Sequence, residues 1–180
     1  MGGANGKGTA FTLKRNGTTW TFHTLYSFKG QPDAGFPYGA LTADASGNLY
    51  GTTYYDGANN LGSVYQLAHR NGQWRERVLY SFKGGTDGSN SISNVVFDAS
   101  GNLYGTTSEG GALGCSCGTI FKLAPGPGGH WTETVAHSFM GVPDGRYPYN
   151  GMVAAPTGQF YGATVHGGAD DEGAIYEFTP

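Results

Sequence analysis

The sequence predicts an all-β protein, a β-propeller built of four-stranded antiparallel blades, with about three blades per chain. Three observations lead to this prediction. One set of short motifs recurs in the same order about every 55 residues along the chain. Glycine is abundant, with 33 residues, and so are the aromatic residues, with 12 Tyr, 10 Phe and 3 Trp. Asn-Gly turns join segments in which apolar and polar residues alternate, which is typical of β-hairpins.

The repeat is defined by three motifs. Residues 47–53 (GNLYGTT) recur unchanged at 101–107 and in altered form at 158–164. Residues 8–13 (GTAFTL) have counterparts at 62–67, 118–123 and 173–178. Residues 25–28 (LYSF) recur at 79–82 and, altered, at 136–139. A fixed order at one period predicts a single structural unit used several times.

Each unit is predicted to contain four strands, A to D. In the first complete unit, strand A covers residues 39–44, B covers 48–53, C covers 62–67 and D covers 74–82. The sequence DASGN between A and B is rich in turn-forming residues. Asn71-Gly72 predicts a tight turn between C and D, because both residues accept positive φ angles.

Counting strands divides the single predicted domain, residues 1–180, into four parts. Residues 1–38 supply strands C and D of a half blade, 39–92 and 93–149 supply complete blades, and 150–180 supply A, B and C. Three blades are too few to close a typical ring, and open strand edges are rarely left exposed. We therefore predict a homodimer in which two chains share blades in a six-bladed ring, with one redundant C strand in each shared blade.

The GNLYGTT core, the Gly-rich segment after it, the C-strand motif and LYSF resemble the GloVer-type (Gloeo/Verruco) tandem-repeat family over essentially the whole chain. The resemblance implies propeller-like arrays in bacterial proteins that are secreted or held at the cell surface. It implies no catalytic residues. Because the first residues lack the charged and apolar segments of a signal peptide, we expect this location to be a property of the parent protein.

Composition and charge exclude several classes of function. The net charge is −3 and basic residues do not cluster, so we predict no nucleic-acid partner. No apolar run approaches the ~18 residues of a membrane span, so none is predicted. We predict no cofactor and no metal. Cys115 and Cys117 make an incomplete zinc site, and a disulfide across one residue is expected to be strained, so their redox state stays open.

The long connections between strands predict a binding face. The D–A and B–C connections leave a blade at the same edge, and both are longer than a turn requires. Aromatic rings beside amide and charged groups suit a saccharide ligand, since a sugar ring stacks on an aromatic face while its hydroxyls form hydrogen bonds. The ligand-binding candidates are Tyr38, Tyr54, Asp56, Asn90, Arg146, Tyr149 and His166.

Structural roles are the alternative for the same residues. Tyrosines at these positions pack between blades in that interpretation, and Asp and Asn form turns. Asp33, Asp87 and Asp144 recur at one place in the D–A connections. A repeated acid there either caps its own turn or coordinates calcium, and the capping interpretation is the preferred one.

We predict a non-enzymatic module for ligand binding or scaffolding, with carbohydrate as the ligand. Two alternatives stay open: a propeller hydrolase or lyase that acts on polysaccharide or a lactone, and a structural repeat that self-assembles at a surface. Catalysis would require residues that break the repeat symmetry. The catalytic candidates for that alternative are His166, Arg146, Asp170, Asp171 and Glu109.

Overall fold

The computed structural model of the chain describes residues 2–111 and 114–180. In this part the chain forms fifteen β-strands and two short 3₁₀ turns, at Gly85–Asp87 and Pro127–Gly129. The strands are β1 (Thr9–Asn16), β2 (Thr19–Ser27), β3 (Ala34–Gly35), β4 (Thr42–Ala43), β5 (Leu49–Thr53), β6 (Tyr55–Asp56), β7 (Ser63–Arg70), β8 (Gln73–Ser81), β9 (Val96–Phe97), β10 (Leu103–Thr107), β11 (Thr119–Pro125), β12 (Trp131–Ser138), β13 (Met152–Ala154), β14 (Phe160–Thr164) and β15 (Ala174–Phe178).

Most of the strands form four antiparallel sheets that follow one another along the chain. Sheet 1 contains β1 and β2, and sheet 2 has the order β4-β5-β7-β8. Sheet 3 has the order β9-β10-β11-β12, and sheet 4 has the order β13-β14-β15. A small additional sheet pairs β3 with β6. The predicted all-β class and the A-B-C-D strand order are confirmed, whereas closure into a propeller ring and the number of blades remain predictions.

The A strands are shorter than the sequence predicts. Strand β4 covers two residues rather than the six from 39 to 44. In the next unit, the carbonyl oxygen of Ser93 accepts a hydrogen bond from Thr52 Oγ1 at 2.6 Å, so this segment bonds to the preceding sheet. Ladder pairing within this sheet begins only at β9, which, like β4, covers two residues.

The hydrophobic core lies between successive sheets. A phenylalanine at the end of each D strand meets an aromatic residue of the next C strand, with ring centroids about 5 Å apart. The three pairs are Phe28–Tyr65 at 4.9 Å, Phe82–Phe121 at 5.2 Å and Phe139–Tyr176 at 5.2 Å. Such edge-to-face contacts stabilise beyond their buried area, so the repeat carries its own packing motif from sheet to sheet.

The A–B turns are organised by a single carboxylate. Asp98 Oδ1 accepts hydrogen bonds from the backbone N–H groups of Ser100 and Asn102, both at 2.9 Å, and Asp98 Oδ2 accepts from Asn102 Nδ2 at 2.7 Å. Asp44 makes the equivalent bonds in the preceding unit. Ala155 occupies this position in the last unit, where only the backbone bonds of the turn are made. The turn function predicted for DASGN is therefore correct.

Candidate functional site

The long connections of each unit are hydrogen-bonded to one another at one edge of the sheets. Strand β3 pairs with β6, and isolated bridges join Ser89 to Glu109 and Arg146 to His166. Each pairing holds a D–A connection against the B–C connection that follows it. We call the connections of this edge the loop layer (residues 29–41, 54–62, 83–95, 108–111, 114–118, 140–151 and 165–173).

One residue in each D–A connection adopts a left-handed backbone conformation. Phe36, Asn90 and Tyr147 have φ angles of 60°, 58° and 59°. This conformation costs a non-glycine residue roughly 1–2 kcal/mol, so its repeated use requires compensation. The backbone N–H group of each residue donates a hydrogen bond to the segment just before a C strand. The acceptors are the carbonyl oxygens of Lys7, Leu61 and Cys117, each at 2.8 Å.

A second left-handed residue closes each B–C connection. Asn60, Ser116 and Asp171 have φ angles of 58°, 51° and 60°. A side-chain oxygen of each accepts a hydrogen bond from a backbone N–H group at the start of the same connection. The donors are Asp56 at 3.2 Å, Gly110 at 3.0 Å and Gly167 at 2.8 Å. Short polar side chains suit this position because they tolerate the left-handed conformation and supply a local acceptor.

Three of the catalytic candidates lie together in the last unit. Arg146 donates a hydrogen bond from its guanidinium group to Asp171 Oδ2 at 2.7 Å. His166 Nδ1 lies 3.4 Å from the carbonyl oxygen of Asp171. Because Asp171 Oδ1 closes the B–C connection, both of its carboxylate oxygens have structural partners. Asp170 is exposed beside this group.

Asp56 is buried in an ion pair rather than exposed to a ligand. Its side chain is 4% exposed, and Lys7 Nζ lies 3.2 Å from both carboxylate oxygens. The same ammonium group lies 4.7 Å from the centroid of the Phe36 ring. Gly110 and Gly167 take the place of Asp56 in the other units, so this ion pair is specific to the first complete unit.

Asn90 is also used by the scaffold. The residue is buried, and its Nδ2 donates a hydrogen bond to the carbonyl oxygen of Tyr54 at 3.0 Å. This bond links a D–A connection to the B–C connection of the preceding unit. The structure thus removes Asp56 and Asn90 from the set of residues that are free to contact a ligand.

Four tyrosines lie on the loop layer, and three of them are in contact. Tyr54 lies between Tyr38 and Tyr55, with ring centroids 5.7 and 4.5 Å away. Tyr38, Tyr55 and Tyr149 are exposed, and Tyr54 is partly buried. Burial raises the pKa of Tyr54, and Tyr55, Glu109 and Tyr149 add to this effect. We call these loop-layer residues the tyrosine surface (Tyr38, Tyr54, Tyr55 and Tyr149, with exposed Glu109).

Comparison with known proteins identifies the family. The family model described as the Gloeobacter/Verrucomicrobia repeat matches residues 1–180. The chain belongs to this family. The resemblance predicted from the repeated motifs is thereby confirmed, and no protein in a search of curated sequences matches the chain.

The recurrent D–A aspartates of this Gloeobacter/Verrucomicrobia repeat act as turn caps in two units. Asp87 Oδ2 accepts a hydrogen bond from the Lys83 backbone N–H at 2.7 Å, and its other oxygen accepts from the Tyr80 hydroxyl. Asp144 Oδ2 accepts from the Met140 backbone N–H at 3.1 Å and lies 3.1 Å from His137 Nε2. These contacts favour capping over calcium coordination. Within residues 2–111 and 114–180, no group of three or more potential metal-ligating side chains is found.

Two partly buried glutamates of the repeat were not among the sequence candidates. Glu76 and Glu133 stand on the D strands β8 and β12, and each reaches the preceding sheet. Glu76 Oε1 accepts a hydrogen bond from the Ala34 backbone N–H at 2.9 Å. Burial raises the pKa of Glu76 and raises that of Glu133 to about 7, with Asp87 contributing to the second shift. Their alternation with Trp74 and Trp131 along the D strands was the available signal.

Two further observations concern the cysteine pair and membrane-spanning segments. A disulfide joins Cys115 and Cys117, with 5.1 Å between the Cα atoms, which the sequence left open. Among the helical segments of the part that the structure describes, none is long and apolar enough to cross a membrane.

Proposed function

We propose that this chain is a non-enzymatic binding module whose tyrosine surface holds a carbohydrate. The observation that carries the proposal is the grouping of exposed tyrosine rings with the exposed carboxylate of Glu109 on one layer of loops. A sugar ring presents C–H groups that pack on an aromatic face. Tyrosine hydroxyls both donate and accept hydrogen bonds, and a carboxylate accepts them from sugar hydroxyls.

The geometry of the acids gives less support to the hydrolase or lyase alternative. General acid–base catalysis requires a group that is free to exchange a proton with a substrate. Asp171 instead uses one oxygen for the loop and the other for Arg146. The candidates that remain exposed are His166, Asp170 and Glu109.

A glycan array followed by calorimetric titration of the best ligand tests the proposal. We expect binding of a neutral or cationic saccharide to the wild-type chain. Tyr149→Ala should weaken binding by about threefold to tenfold, because an aromatic contact contributes roughly 0.5–1.5 kcal/mol. Tyr38→Ala should have a similar effect, since both rings belong to the tyrosine surface.

Tyr161→Ala provides the matched control. Tyr161 and Tyr149 are both 38% exposed, but Tyr161 lies on β14, away from the loop layer. We expect Tyr161→Ala to leave saccharide affinity unchanged. Equal losses in the Tyr149 and Tyr161 variants, or no binding to any glycan on the array, would contradict the proposal.

We further propose that the module self-assembles as a homodimer and acts outside the cell. The exposed faces of the first and last sheets support assembly, because they are apolar where equivalent faces of inner sheets are buried. The first face carries Phe11, Leu13, Trp20 and Phe22, and the last carries Val153, Tyr161 and Ile175. The secreted or cell-surface location is the one that the family resemblance implies.

A further inference from the structure

Two C strands are paired along one edge only within the described residues. Strand β7 pairs with both β5 and β8, and β11 pairs with both β10 and β12. The equivalent strand β1 pairs only with β2, and β15 pairs only with β14. The edge of β1 that carries no ladder is the one that a B strand occupies in sheets 2 and 3. An unpaired edge is a template for another strand.

A cavity of about 360 Å³ lies beside the free edge of β1. Residues 39–41 line part of it, and their counterparts in the next unit are residues 93–95. Those counterparts are covered by sheet 2, where Thr52 Oγ1 donates to the Ser93 carbonyl oxygen and Thr42 Oγ1 donates to that of Val95. The cavity therefore occupies the place that the A and B strands of a preceding sheet would fill.

Strand β15 is held less firmly than β1. The β14–β15 ladder has five residue pairs, whereas the β1–β2 ladder has eight and is closed by a tight turn. Ile175 on β15 and Ala10 on β1 hold the same repeat position. Ile175 is 86% exposed, whereas Ala10 is 4% exposed. Exchange of β15 for an equivalent strand thus sacrifices fewer interactions than exchange of β1.

Two facing positions at the junctions between sheets, a glutamate on one D strand and a tyrosine on the preceding D strand, are both substituted where the exchange would occur. Glu76 and Glu133 each stand opposite a leucine of their C strand. Burial raises the pKa of Tyr26 and of Tyr80 in the preceding sheet, and the nearby carboxylates of Glu76 and Glu133, respectively, add to this effect. At the last junction, His137 replaces the tyrosine and is already paired with Asp144. On β2, Phe22 replaces the glutamate.

An aromatic ring suits the environment of His137 better than a second carboxylate does. The cavity beside His137 has a volume of about 120 Å³, and Ile120, Phe139 and Asp144 line it together with Tyr176, Glu177 and Phe178 of β15. When β1 takes the place of β15, the repeat positions of these three residues are held by Phe11, Thr12 and Leu13, so the side chains around His137 become less charged. A carboxylate at this position would lie beside Asp144 as Glu133 lies beside Asp87, where like-charge repulsion adds to the raised pKa of Glu133, whereas Phe22 carries no charge.

We propose that the β1–β2 hairpin of a second copy replaces β15 on β14. Strands β13 and β14 of one chain and the partner's β1 and β2 then form a complete four-stranded sheet. The A and B strands fill the cavity beside β1, and the partner's Phe22 lies against His137. This inference rests on the proposed homodimer and identifies β15 as the redundant C strand.

Cysteine cross-linking tests the exchange directly. Tyr161 pairs with Glu177 within the chain, and by analogy with the Tyr50–Gln66 pair it meets Thr12 in the exchanged sheet. Two double variants, Thr12→Cys/Tyr161→Cys and Tyr161→Cys/Glu177→Cys, are made in a chain whose Cys115 and Cys117 are serine. Both are oxidised under native conditions and separated on a non-reducing gel.

The expected result is a covalent dimer as the main product of the Thr12/Tyr161 variant, with little intrachain bond in the Tyr161/Glu177 variant. An intrachain bond at Tyr161/Glu177 and no covalent dimer at Thr12/Tyr161 would overturn the exchange. The solution mass of the unmodified chain, measured by light scattering, tests the homodimer independently of the strand exchange. A mass of two chains without the cross-link keeps the dimer and rejects the exchange, whereas the mass of one chain rejects both.

Discussion

Lys7 and Asp56 form an ion pair across 49 residues of sequence, with Lys7 Nζ 3.2 Å from Asp56 Oδ1. The pair ties the segment before β1 to the B–C connection of the following unit. The left-handed conformation of Asp56, with φ at 61°, is one that glycine adopts at the equivalent positions 110 and 167. The carboxylate is thus accommodated at a glycine-type position, and Lys7 compensates its burial.

Lys7→Ala is expected to lower the free energy of unfolding by about 1–3 kcal/mol, because it leaves the buried Asp56 carboxylate without its cation. Asp56→Gly should cost less, since it removes both the charge and the left-handed strain. Urea unfolding monitored by tryptophan fluorescence measures both. Lys14→Ala, at an exposed lysine on β1, is the control. The interpretation fails if Lys7→Ala and Lys14→Ala have equal effects.

The raised pKa of Glu133 predicts a loss of stability as pH rises. Its pKa increases from the ordinary value of 4.5 to about 7 in the folded chain. The folded state therefore binds this proton more tightly than the unfolded state does. The stabilising contribution is fully present below about pH 4.5 and is lost as pH rises through about 7. Asp87 and Tyr80 surround the carboxyl, with Lys83 nearby.

Glu133→Gln should reduce this pH dependence, because the amide cannot lose a proton. We expect the variant to gain about 1–2 kcal/mol relative to wild type at pH 8, a value reduced for solvent screening of a half-exposed group. At pH 5 the two should be nearly equal. Urea unfolding at pH values from 5 to 8 measures the difference, with Glu177→Gln as an exposed control. Parallel pH profiles for wild type and Glu133→Gln would refute the assignment.

Asp171 is expected to stabilise the fold more through its loop-closing hydrogen bond than through its ion pair with Arg146. Asp171→Ala loses the acceptor for the Gly167 N–H and places alanine in a left-handed conformation, which should cost about 1–2 kcal/mol. Asp171→Asn keeps the acceptor and loses only a partly exposed ion pair with Arg146, which contributes up to about 1 kcal/mol. Thermal unfolding compares them. A loss in Asp171→Asn as large as that in Asp171→Ala would show that the charge dominates.

The A–B turns predict one destabilising and one stabilising substitution. Asp98→Ala removes three hydrogen bonds and should cost about 1–2 kcal/mol at neutral pH. Ala155→Asp restores the missing acceptor in the last unit and should add about 0.5–1 kcal/mol. Urea unfolding measures both, and Ala154→Asp, one residue earlier on β13, is the control. The stabilising prediction is wrong if Ala155→Asp is no more stable than Ala154→Asp.

The Asp98 contribution should also depend on pH. Burial alone would raise the pKa of Asp98, but hydrogen bonds from Asn102 and Ser100 outweigh it and lower the pKa below the ordinary 3.8. The stabilisation is therefore present above that value and is lost as pH falls through the lowered pKa. Wild type and Asp98→Ala should converge in stability in strong acid, as urea unfolding between pH 2 and 7 would show.

Much of the fold was predictable because its determinants are local and repeated. Asn71-Gly72 forms the tight turn between β7 and β8, and residues 47–53 supply strand β5. Turn residues with positive φ and the alternation of side chains along a strand act within a few residues, so the sequence reports them directly. The shortened A strands were not predicted. In sheet 3 the segment before β9 bonds to the preceding sheet, from Thr52 to the Ser93 carbonyl oxygen, and a contact between sheets cannot be read from the local sequence.

The sequence could indicate which connections carry the candidate residues but not their partners. Tyr38, Tyr54 and Tyr149 all lie in the loop layer, with the rings of Tyr38 and Tyr54 5.7 Å apart. The sequence could not show that Asp56 forms an ion pair with Lys7 or that Asn90 donates a hydrogen bond to the Tyr54 carbonyl oxygen. Both facts depend on distances between separate units. A side chain of the right type is therefore a poor guide to a free side chain when neighbouring repeats pack closely.

The sequence by itself determined the class, the order of strands, the period and the family, because turn chemistry and side-chain alternation recur in each unit. Only the tertiary structure decided which polar groups are exposed. Burial of Glu133 between sheets 2 and 3, and of Asp56 beside the N-terminal segment, depends on contacts between residues far apart in the chain. Such contacts are fixed by how one sheet packs on the next, which the repeat pattern does not encode.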